Sequence, residues 1–485
     1  MNLRKSLLTL LIITTGLVLS AQTYKIDVEI SDLSDKDIYL GYYYGNKTYV
    51  KDTIRLDSKG KGSFKGDSLL DQGLYIIVMP DKNYFDVIVG EDQVFSIETK
   101  LVNLISNLKI KGSDENQALI DFQEHMQSQN KKIVAKQVRL KEQTEGSDSI
   151  KIYQEELQQL SDDIKIFWDK TIEDNNGNVL SILVNAMKNP EIPDYEVPEE
   201  IVNKDSARWF HSYNYNRTHY FDFIDFTDKR FLRTPIFHNK VETFFSRVII
   251  QDPDTIINYI DVILVDAEKD AEMFEYLLRY FLSTYSKSDI MGMDKVVLNV
   301  VENYYLSGKA DWMDEESLDK MRTQIAKLRF NQIGNTAQDL KLETIHEEYA
   351  RLHEIKAKYT LVYFWEPHCG HCKKTTPKVA DLYHEYSREE FEVFAVYTQT
   401  DKKEWTDYVF DKGYDEWINV WDRYNLTNFR FFYNINSTPS LYLLDENKKI
   451  VAKRISIETI KEILDIEFGK TSVKDKIEQE NLKKD

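Results

Sequence analysis

Apolar and polar positions alternate with a period of two near the beginning of the chain. Apolar side chains stand at every second position from Tyr24 to Ile30, which is typical of a half-buried strand. More short apolar runs follow, and turn residues such as those at 57–62 separate them. Regular spacing of this kind predicts an all-β sandwich or barrel over residues 22–112.

From residue 113 to residue 330 the apolar positions recur every three to four residues instead, which predicts an α-helical domain. The segment 117–168 is rich in Lys, Glu and Gln and is interrupted at 145–149, so we expect two antiparallel helices. Two apolar stripes predict further amphipathic helices. Their members are Ile256, Tyr259, Ile260, Ile263 and Leu264 in one stripe, and Phe274, Leu277, Leu278 and Phe281 in the other.

An aromatic-rich stretch at 209–223 permits two interpretations. It can line a ligand groove, or it can fill a core or a contact between domains, as aromatic residues often do. The second interpretation is the simpler one, and we adopt it as the expectation.

The two ends of the chain have compositions of their own. Residues 1–21 read as a secretory signal peptide, with a basic start, an apolar run from Leu7 to Leu19 and small residues at the exit. The alternative is an uncleaved membrane anchor, although the apolar run is shorter than a membrane span requires. The prediction is therefore a protein exported to the periplasm or cell envelope. The charged tail at 471–485 is expected to be solvated or frayed.

The net charge and the number of cysteines exclude some classes of partner and one means of stabilising the fold. The net charge of −19 argues against nucleic acid as a partner and against an anionic membrane surface, because both require a basic face. The 485 residues include only two cysteines, and these stand close together. We therefore expect no structural disulfide, and the fold must depend on burial of apolar side chains.

The two cysteines form the motif Cys369-Gly370-His371-Cys372, directly after the apolar run 359–365. This order predicts a strand followed by a helix, with the motif at the turn. The unpaired N–H groups and the dipole of a helix N-terminus stabilise a thiolate and lower the pKa of the thiol. The motif therefore predicts a thiol–disulfide oxidoreductase.

Other chemistries fit the motif less well. Zinc binding would require adjacent His and Cys residues to converge on one ion, and the chain has no second Cys-x-x-Cys. Haem attachment requires a histidine immediately after the second cysteine, where Lys373 stands. A peroxidase of the peroxiredoxin type would need a threonine–cysteine signature that is absent. We therefore predict no metal and no cofactor.

Several residues around the motif resemble the thioredoxin superfamily. Phe364-Trp365 precedes the first cysteine, Pro377 follows the second by five residues, and Thr438-Pro439 stands where the family has a cis-proline. The segment 333–340 is similar to the entry of envelope thioredoxins of the TlpA-like kind. The resemblance spans residues 331–470 and implies a C-terminal α/β thioredoxin-like domain.

The resemblance also implies roles for individual residues. Cys369 would be the exposed attacking thiol and Cys372 the buried resolving thiol, with His371 between them favouring the thiolate. The Thr438–Pro439 bond would be cis and lie beside the two cysteines. Thr438 and Pro439 would then contact the substrate chain, and Trp365 is assigned to substrate binding with them.

The chain departs from the family at two positions that supply an acid–base helper in some members. Tyr363 stands where thioredoxins have a buried aspartate, and Thr375 stands where some envelope reductases have a glutamate. Glu366 is the nearest acidic residue in the sequence. It is either a proton acceptor for the site or a solvated loop carboxylate, and both interpretations remain open.

Together these patterns predict a multidomain envelope enzyme that exchanges disulfides with cysteine-containing exported proteins, with reduction or isomerisation favoured over oxidation. A membrane redox partner would supply or accept electrons. The alternative is an envelope binding or scaffold protein whose thioredoxin-like domain is a redox sensor or tether. The identity of the substrate and the redox potential do not follow from the sequence.

Overall fold

The computed structural model describes residues 23–143 and 148–471. The predicted signal peptide, part of the predicted helix break and residues 472–485 of the predicted tail lie outside the described residues. The described residues form two compact units, and the division between them in the sequence falls between residues 249 and 250. This division falls inside the predicted helical domain 113–330, and the predicted domain boundaries stay predictions.

The first unit begins with two sheets of four strands each, and most neighbouring strands in them are antiparallel. Their spatial orders are β4-β1-β7-β8 and β3-β2-β5-β6. The strands are β1 (Tyr24–Ile30), β2 (Asp37–Tyr44), β3 (Lys47–Arg55), β4 (Lys61–Gly66), β5 (Gly73–Val78), β6 (Tyr84–Val89), β7 (Val94–Thr99) and β8 (Lys109–Lys111).

One apolar core joins the two sheets, so this part of the chain is a β-sandwich. Ile26 and Val28 of the first sheet belong to the same buried cluster as Leu40 and Ile77 of the second. Along β1 buried positions alternate with exposed or half-buried ones, as the period-two pattern predicted. The sandwich thus follows from one apolar face on each sheet.

Helices complete the first unit. They are α1 (Asp114–Lys141), α2 (Asp148–Asp174), α3 (Val179–Met187), α4 (Lys204–His219) and α5 (Phe237–Thr243), with a 3-10 turn at Lys229–Arg233 and a π-helical turn at Phe244–Val248. The side chain of Asn116 attaches α1 to β6, because it accepts from the N–H of Ile88 and donates to its carbonyl, both at 2.7 Å.

The aromatic stretch is divided between surface and core. No residue of α4 is buried, and Trp209 and Phe210 are 66% and 59% exposed. After the helix, Tyr220 and Phe226 are buried. Within the predicted stretch 209–223, a core role is therefore wrong for α4 and right for Tyr220. The aromatic residues of α4 pack along the helix surface instead, as Trp209 does on Tyr213.

The second unit begins with four α-helices, α6 (Pro253–Ala267), α7 (Ala271–Ser286), α8 (Asp294–Val300) and α9 (Glu315–Phe330), and a π-helical turn at Val301–Tyr305. The two predicted apolar stripes provide buried residues of α6 and α7. Within residues 23–143 and 148–471, no helix has both the length and the apolar character that crossing a membrane demands.

A seven-stranded mixed sheet follows, in the order β10-β9-β13-β12-β11-β14-β15. Its strands are β9 (Lys341–Thr344), β10 (Tyr349–Arg351), β11 (Tyr359–Trp365), β12 (Phe391–Tyr397), β13 (Ile418–Trp421), β14 (Ser440–Leu444) and β15 (Ile450–Lys453). The helices are α10 (Gly370–Glu385), α11 (Lys402–Lys412), α12 (Phe429–Phe432) and α13 (Ile457–Glu467), with a 3-10 turn at Leu352–Glu354. This arrangement confirms the predicted C-terminal thioredoxin-like α/β fold.

The strand before the cysteines lies in the interior of the sheet. β11 pairs in parallel with β12 and antiparallel with β14. Tyr363 and Trp365 face one apolar core, and Val362 and Phe364 face the other. A strand covered on both faces requires a continuous apolar run, which is the pattern that the sequence has at 359–365. The end of this rigid strand positions the motif.

Candidate functional site

Cys369 lies at the N-cap of α10, so its sulfur faces the free N–H groups of the first helical turn. The N–H of Cys372 donates to this sulfur at 3.2 Å, and the thiol itself donates to the carbonyl of Thr438 at 3.1 Å. Burial raises the pKa of Cys369, but hydrogen bonds from Cys372, Thr438 and the backbone of His371 outweigh it and hold the pKa below its ordinary value. The side chain is partly exposed.

Cys372 has the opposite environment. Only 1% of the residue is exposed, and burial, followed by its hydrogen bond with Cys369, raises the pKa of its thiol to about 12. At pH 7 such a thiol is deprotonated in only about one molecule in 10⁵. Cys369 is therefore the thiol that ionises first.

The loop before β14 approaches the two cysteines. Its Thr438–Pro439 bond is cis, as the sequence predicted. The carbonyl of Thr438 accepts from the thiol of Cys369, which places the loop directly beside the attacking sulfur. Both Thr438 and Pro439 are partly exposed, so this loop can also face another chain.

Glu366 connects this loop to the end of β11. Its Oε1 accepts from the hydroxyl of Thr438 at 2.8 Å, and its other oxygen accepts from the side-chain amide of Gln399. The backbone N–H of Glu366 also faces the sulfur of Cys372 and favours its thiolate. The carboxylate is thus engaged by two neighbours, which differs from the solvated loop carboxylate considered above.

Sequence reasoning did not find Gln399. It lies two residues after the end of β12, which is the parallel neighbour of β11. Because parallel strands end at the same edge of a sheet, the position after β12 was the available signal that this side chain would approach Glu366.

A buried hydroxyl pair occupies the position where the family has an acidic residue. The side chain of Thr376 donates to the carbonyl of Cys372 at 2.8 Å, so the hydroxyl of Tyr363 donates to Thr376, also at 2.8 Å. Burial raises the pKa of Tyr363 far above its ordinary value, and the side chain is neutral at physiological pH. This pair fixes α10 on β11 and supplies no carboxylate.

One predicted site residue lies differently from what its assigned role requires. Trp365 was assigned to substrate binding, but it is completely buried and stacks on Tyr363 with ring centroids 6.1 Å apart. The side chain of Trp365 therefore packs in the core next to the site and does not line the cleft. The side chain of His371 is exposed, and the backbone of this residue contributes to the hydrogen bonds at Cys369.

A polar cleft of about 490 Å³ lies beside the cis-proline loop. Thr375 of α10, Pro439 and Arg454 line it, together with Lys378 and Glu458, which form an ion pair at 2.5 Å. The ion pair and neighbouring hydrogen bonds lower the pKa of Glu458 to about 2. Within the described residues, no cluster of three or more His, Cys, Asp or Glu side chains is arranged to hold a metal ion.

Comparison with known families agrees with this geometry. Residues 333–453 match the AhpC/TSA family. The C-terminal part of the chain is a thioredoxin-like domain of that family. Two domains of unknown function match other parts of the chain, DUF4369 at residues 24–119 and DUF5106 at residues 169–331.

Relatives of the thioredoxin-like domain include thiol–disulfide oxidoreductases. The thioredoxin-like protein YneN of Bacillus subtilis is 29% identical over 132 residues, which are 27% of this chain and 76% of YneN. The thiol–disulfide oxidoreductase ResA of Oceanobacillus iheyensis is 28% identical over 124 residues, which are 24% of this chain and 62% of ResA. The chain thus spans less than two thirds of that ResA.

Two solved structures also match parts of the chain. A domain of a possible thiol–disulfide isomerase from Cytophaga hutchinsonii is 36% identical, and the match covers 28% of this chain and 93% of that domain with a TM-score of 0.27. A thioredoxin-like protein from Bacteroides caccae is 19% identical, with 58% of this chain and 99% of that chain covered and a TM-score of 0.43.

Proposed function

We propose that this protein is a thiol–disulfide oxidoreductase of the cell envelope that exchanges disulfides with exported proteins through Cys369 and Cys372. The observation that carries the proposal is the contrast between the two thiols. Cys369 is partly exposed with a lowered pKa, whereas Cys372 is buried with a pKa of about 12. Cys369 is thus the thiol that attacks the substrate, and Cys372 is the thiol that reacts in the second step.

In the first step the Cys369 thiolate attacks one sulfur of a substrate disulfide. A bond forms between the two sulfurs, the substrate disulfide breaks, and the released substrate thiolate takes a proton from solvent. The mixed disulfide removes the negative charge from Cys369. That charge is one cause of the high pKa of Cys372, so its removal favours deprotonation of the second thiol.

In the second step Cys372 loses its proton and attacks the sulfur of Cys369. The Cys369–Cys372 disulfide closes and the second substrate thiol leaves, so two electrons pass from the protein to the substrate. A dithiol protein returns the electrons, and we propose that it is a membrane redox partner. Glu366 holds Thr438 beside the reacting sulfurs, and its role as proton acceptor for Cys372 stays a prediction.

The export of the protein and the direction of exchange also belong to this proposal. The apolar run from Leu7 to Leu19 supports export. We propose reduction or isomerisation over oxidation because the TlpA-like proteins that the motif resembles mostly reduce. The equilibrium potential of the Cys369–Cys372 couple against glutathione would decide the direction.

The proposal is tested with two single substitutions in the full chain. Cys369→Ser should abolish reduction of a protein disulfide by dithiothreitol-fed enzyme, because the attacking sulfur is gone. Cys372→Ser should keep the attack and accumulate mixed disulfides that non-reducing gels display. Trapping by Cys369→Ser instead would reverse the two roles.

Two further outcomes would contradict the enzyme assignment. If the Cys369–Cys372 disulfide of the wild-type protein did not exchange with proteins that dithiothreitol has reduced, the result would favour the scaffold alternative. In that alternative the thioredoxin-like domain is a redox sensor or tether. Turnover of hydrogen peroxide without turnover of protein disulfides would indicate peroxidase chemistry. We expect the wild-type protein to turn over disulfides and both variants to fail in turnover.

A further inference from the structure

A second cavity, of about 580 Å³, lies in the second unit between helices α7 to α9 and the end of strand β15. Its volume is within the range of cavities that bind small molecules or side chains. Slightly more of its wall is apolar than polar, and the apolar members include Leu282, Val297, Met321, Ile325 and Leu328. The helices that form it precede the thioredoxin-like domain in sequence, so the cavity is not made by that domain alone.

This cavity adjoins the polar cleft at the cis-proline loop. Asn434 and Arg454 line both spaces, and the guanidinium of Arg454 donates to the carbonyl of Asn434 at 2.7 Å. The cleft itself reaches Pro439, whose neighbour Thr438 contacts the sulfur of Cys369. One wall therefore connects the reacting thiol, through the polar cleft, with the apolar cavity.

The two lysines that line the cavity are each paired with an acidic residue. The ammonium of Lys453 donates to Asp294 at 2.6 Å and to the backbone carbonyl and side-chain oxygen of Asn331 at 2.5 and 3.1 Å. Burial lowers the pKa of Lys453, and Lys320 at the edge pairs with Glu316. With both lysines paired, the helical side of the cavity offers apolar surface, while Asn434 and Arg454 keep the side toward the cleft polar.

We infer that the apolar cavity binds a hydrophobic side chain of the protein substrate, in the segment that follows or precedes the cysteine attacked by Cys369. The inference rests on the proposed exchange function and adds a substrate class to it. The substrate chain would cross Pro439, pass Asn434 and Arg454 in the polar cleft, and insert its apolar residue among Val297, Met321 and Ile325. Exchange would then be fastest for partly unfolded proteins that expose such a residue near a cysteine.

The test uses the full chain and a set of disulfide-bonded peptides that differ only in the position of one leucine relative to the reactive cysteine. A peptide with serine in place of leucine is the reference, and glutathione disulfide is a substrate too small to reach the cavity. We expect one leucine position to raise kcat/KM at least roughly tenfold over serine, the size of effect that a filled apolar pocket produces.

Two variants of a half-buried wall residue should remove this preference. Met321→Asp makes the wall polar and Met321→Trp fills the space, and each should bring the leucine-to-serine ratio of kcat/KM near one. Thr323→Asp on the exposed side of the same helix is the matched control and should keep the preference. Circular dichroism and continued protection of the buried Cys372 thiol from alkylation would show that the variants are folded.

The outcomes separate the two proposals. Equal kcat/KM for all peptides, or a leucine preference that survives both Met321 variants, overturns the cavity inference while turnover of glutathione disulfide upholds the exchange function. Failure of the wild-type protein to reduce any disulfide overturns the exchange function and the cavity inference with it.

Discussion

At the scale of single residues, the environments of the two thiols predict opposite responses to pH. The thiolate is the reactive form, so alkylation of a thiol rises with pH and levels off above its pKa. The lowered pKa of Cys369 means that its alkylation by iodoacetamide should be half-maximal at a lower pH than for free cysteine. Cys372 should stay much less reactive than Cys369 in the folded protein, because its thiol is buried and burial raises its pKa.

Single-serine variants make the two thiols separately measurable. Cys372→Ser reports Cys369 alone and keeps the backbone N–H that donates to its sulfur. Cys369→Ser reports Cys372, and unfolding in urea at pH 8 should release its reactivity. A half-maximum for Cys369 at or above the value of free cysteine would contradict the role of the helix N-terminus.

His371 provides a second test at this scale, since it contributes an imidazole and a backbone N–H. The imidazole, when protonated, favours the nearby thiolate, and the N–H contributes to the hydrogen bonds at Cys369. His371→Ala removes the imidazole only, whereas His371→Pro removes both, so the couple should become more reducing in the order wild type, Ala, Pro. We expect tens of millivolts in total, measured by equilibration with glutathione. An unchanged potential in both variants would show that residue 371 does not tune the site.

At the scale of secondary-structure elements, the buried hydroxyl pair holds the active-site helix on the central strand. Thr376→Val leaves the buried hydroxyl of Tyr363 without an acceptor and should cost about 1–3 kcal/mol in the free energy of unfolding. Tyr363→Phe removes the donor as well, so the double variant should lose less stability than the sum of the single variants. Urea unfolding measures all three, and Thr375→Val is the control on the same helix, expected within about 0.5 kcal/mol of wild type. Strict additivity would show that the two hydroxyls act independently.

The elements themselves were largely predictable, because each depends on a local pattern. The alternation from Tyr24 to Ile30 indicated a strand, and the apolar run at 359–365 indicated a strand buried on both faces. The motif and Thr438-Pro439 likewise located the thiols and the cis bond. The exposure of α4 was not predictable, because the same aromatic residues fit a core or a surface.

Local sequence patterns did not predict the contacts between segments that are distant in the sequence. The bond between Glu366 and Thr438 joins residues 72 positions apart, and no periodicity relates them. Trp365 was misplaced for a related reason, since its proximity to Cys369 in the sequence does not reveal that its ring points into the core. The apolar cavity was also unforeseen, because helices and a strand from separate segments form its walls.

At the scale of the whole molecule, the compact units divide the chain differently from the predicted domains. Helices α6 to α9 belong with the thioredoxin-like sheet in residues 250–485. A buried ion pair contributes to this unit, since Asp294 of α8 accepts from Lys453 of β15 at 2.6 Å and from Gln332 at 2.8 Å. The side chain of Lys453 is only 5% exposed, so its charge depends on these partners.

Asp294→Asn should therefore destabilise the thioredoxin-like sheet, although the substitution lies outside the predicted domain 331–470. Removing one partner of a buried pair leaves the other charge uncompensated, and because Asp294 is partly exposed we expect a loss of about 3 kcal/mol, at the lower end of the usual range. The measurement is alkylation of the buried Cys372 thiol in increasing urea, in a Cys369→Ser background, since this thiol reacts only when its surroundings unfold.

Glu316→Gln, which breaks an exposed ion pair on α9, is the control and should change the stability by less than about 1 kcal/mol. If Asp294→Asn left the protection of Cys372 unchanged, the sheet would unfold independently of the preceding helices, and a boundary near residue 330 would describe the protein better.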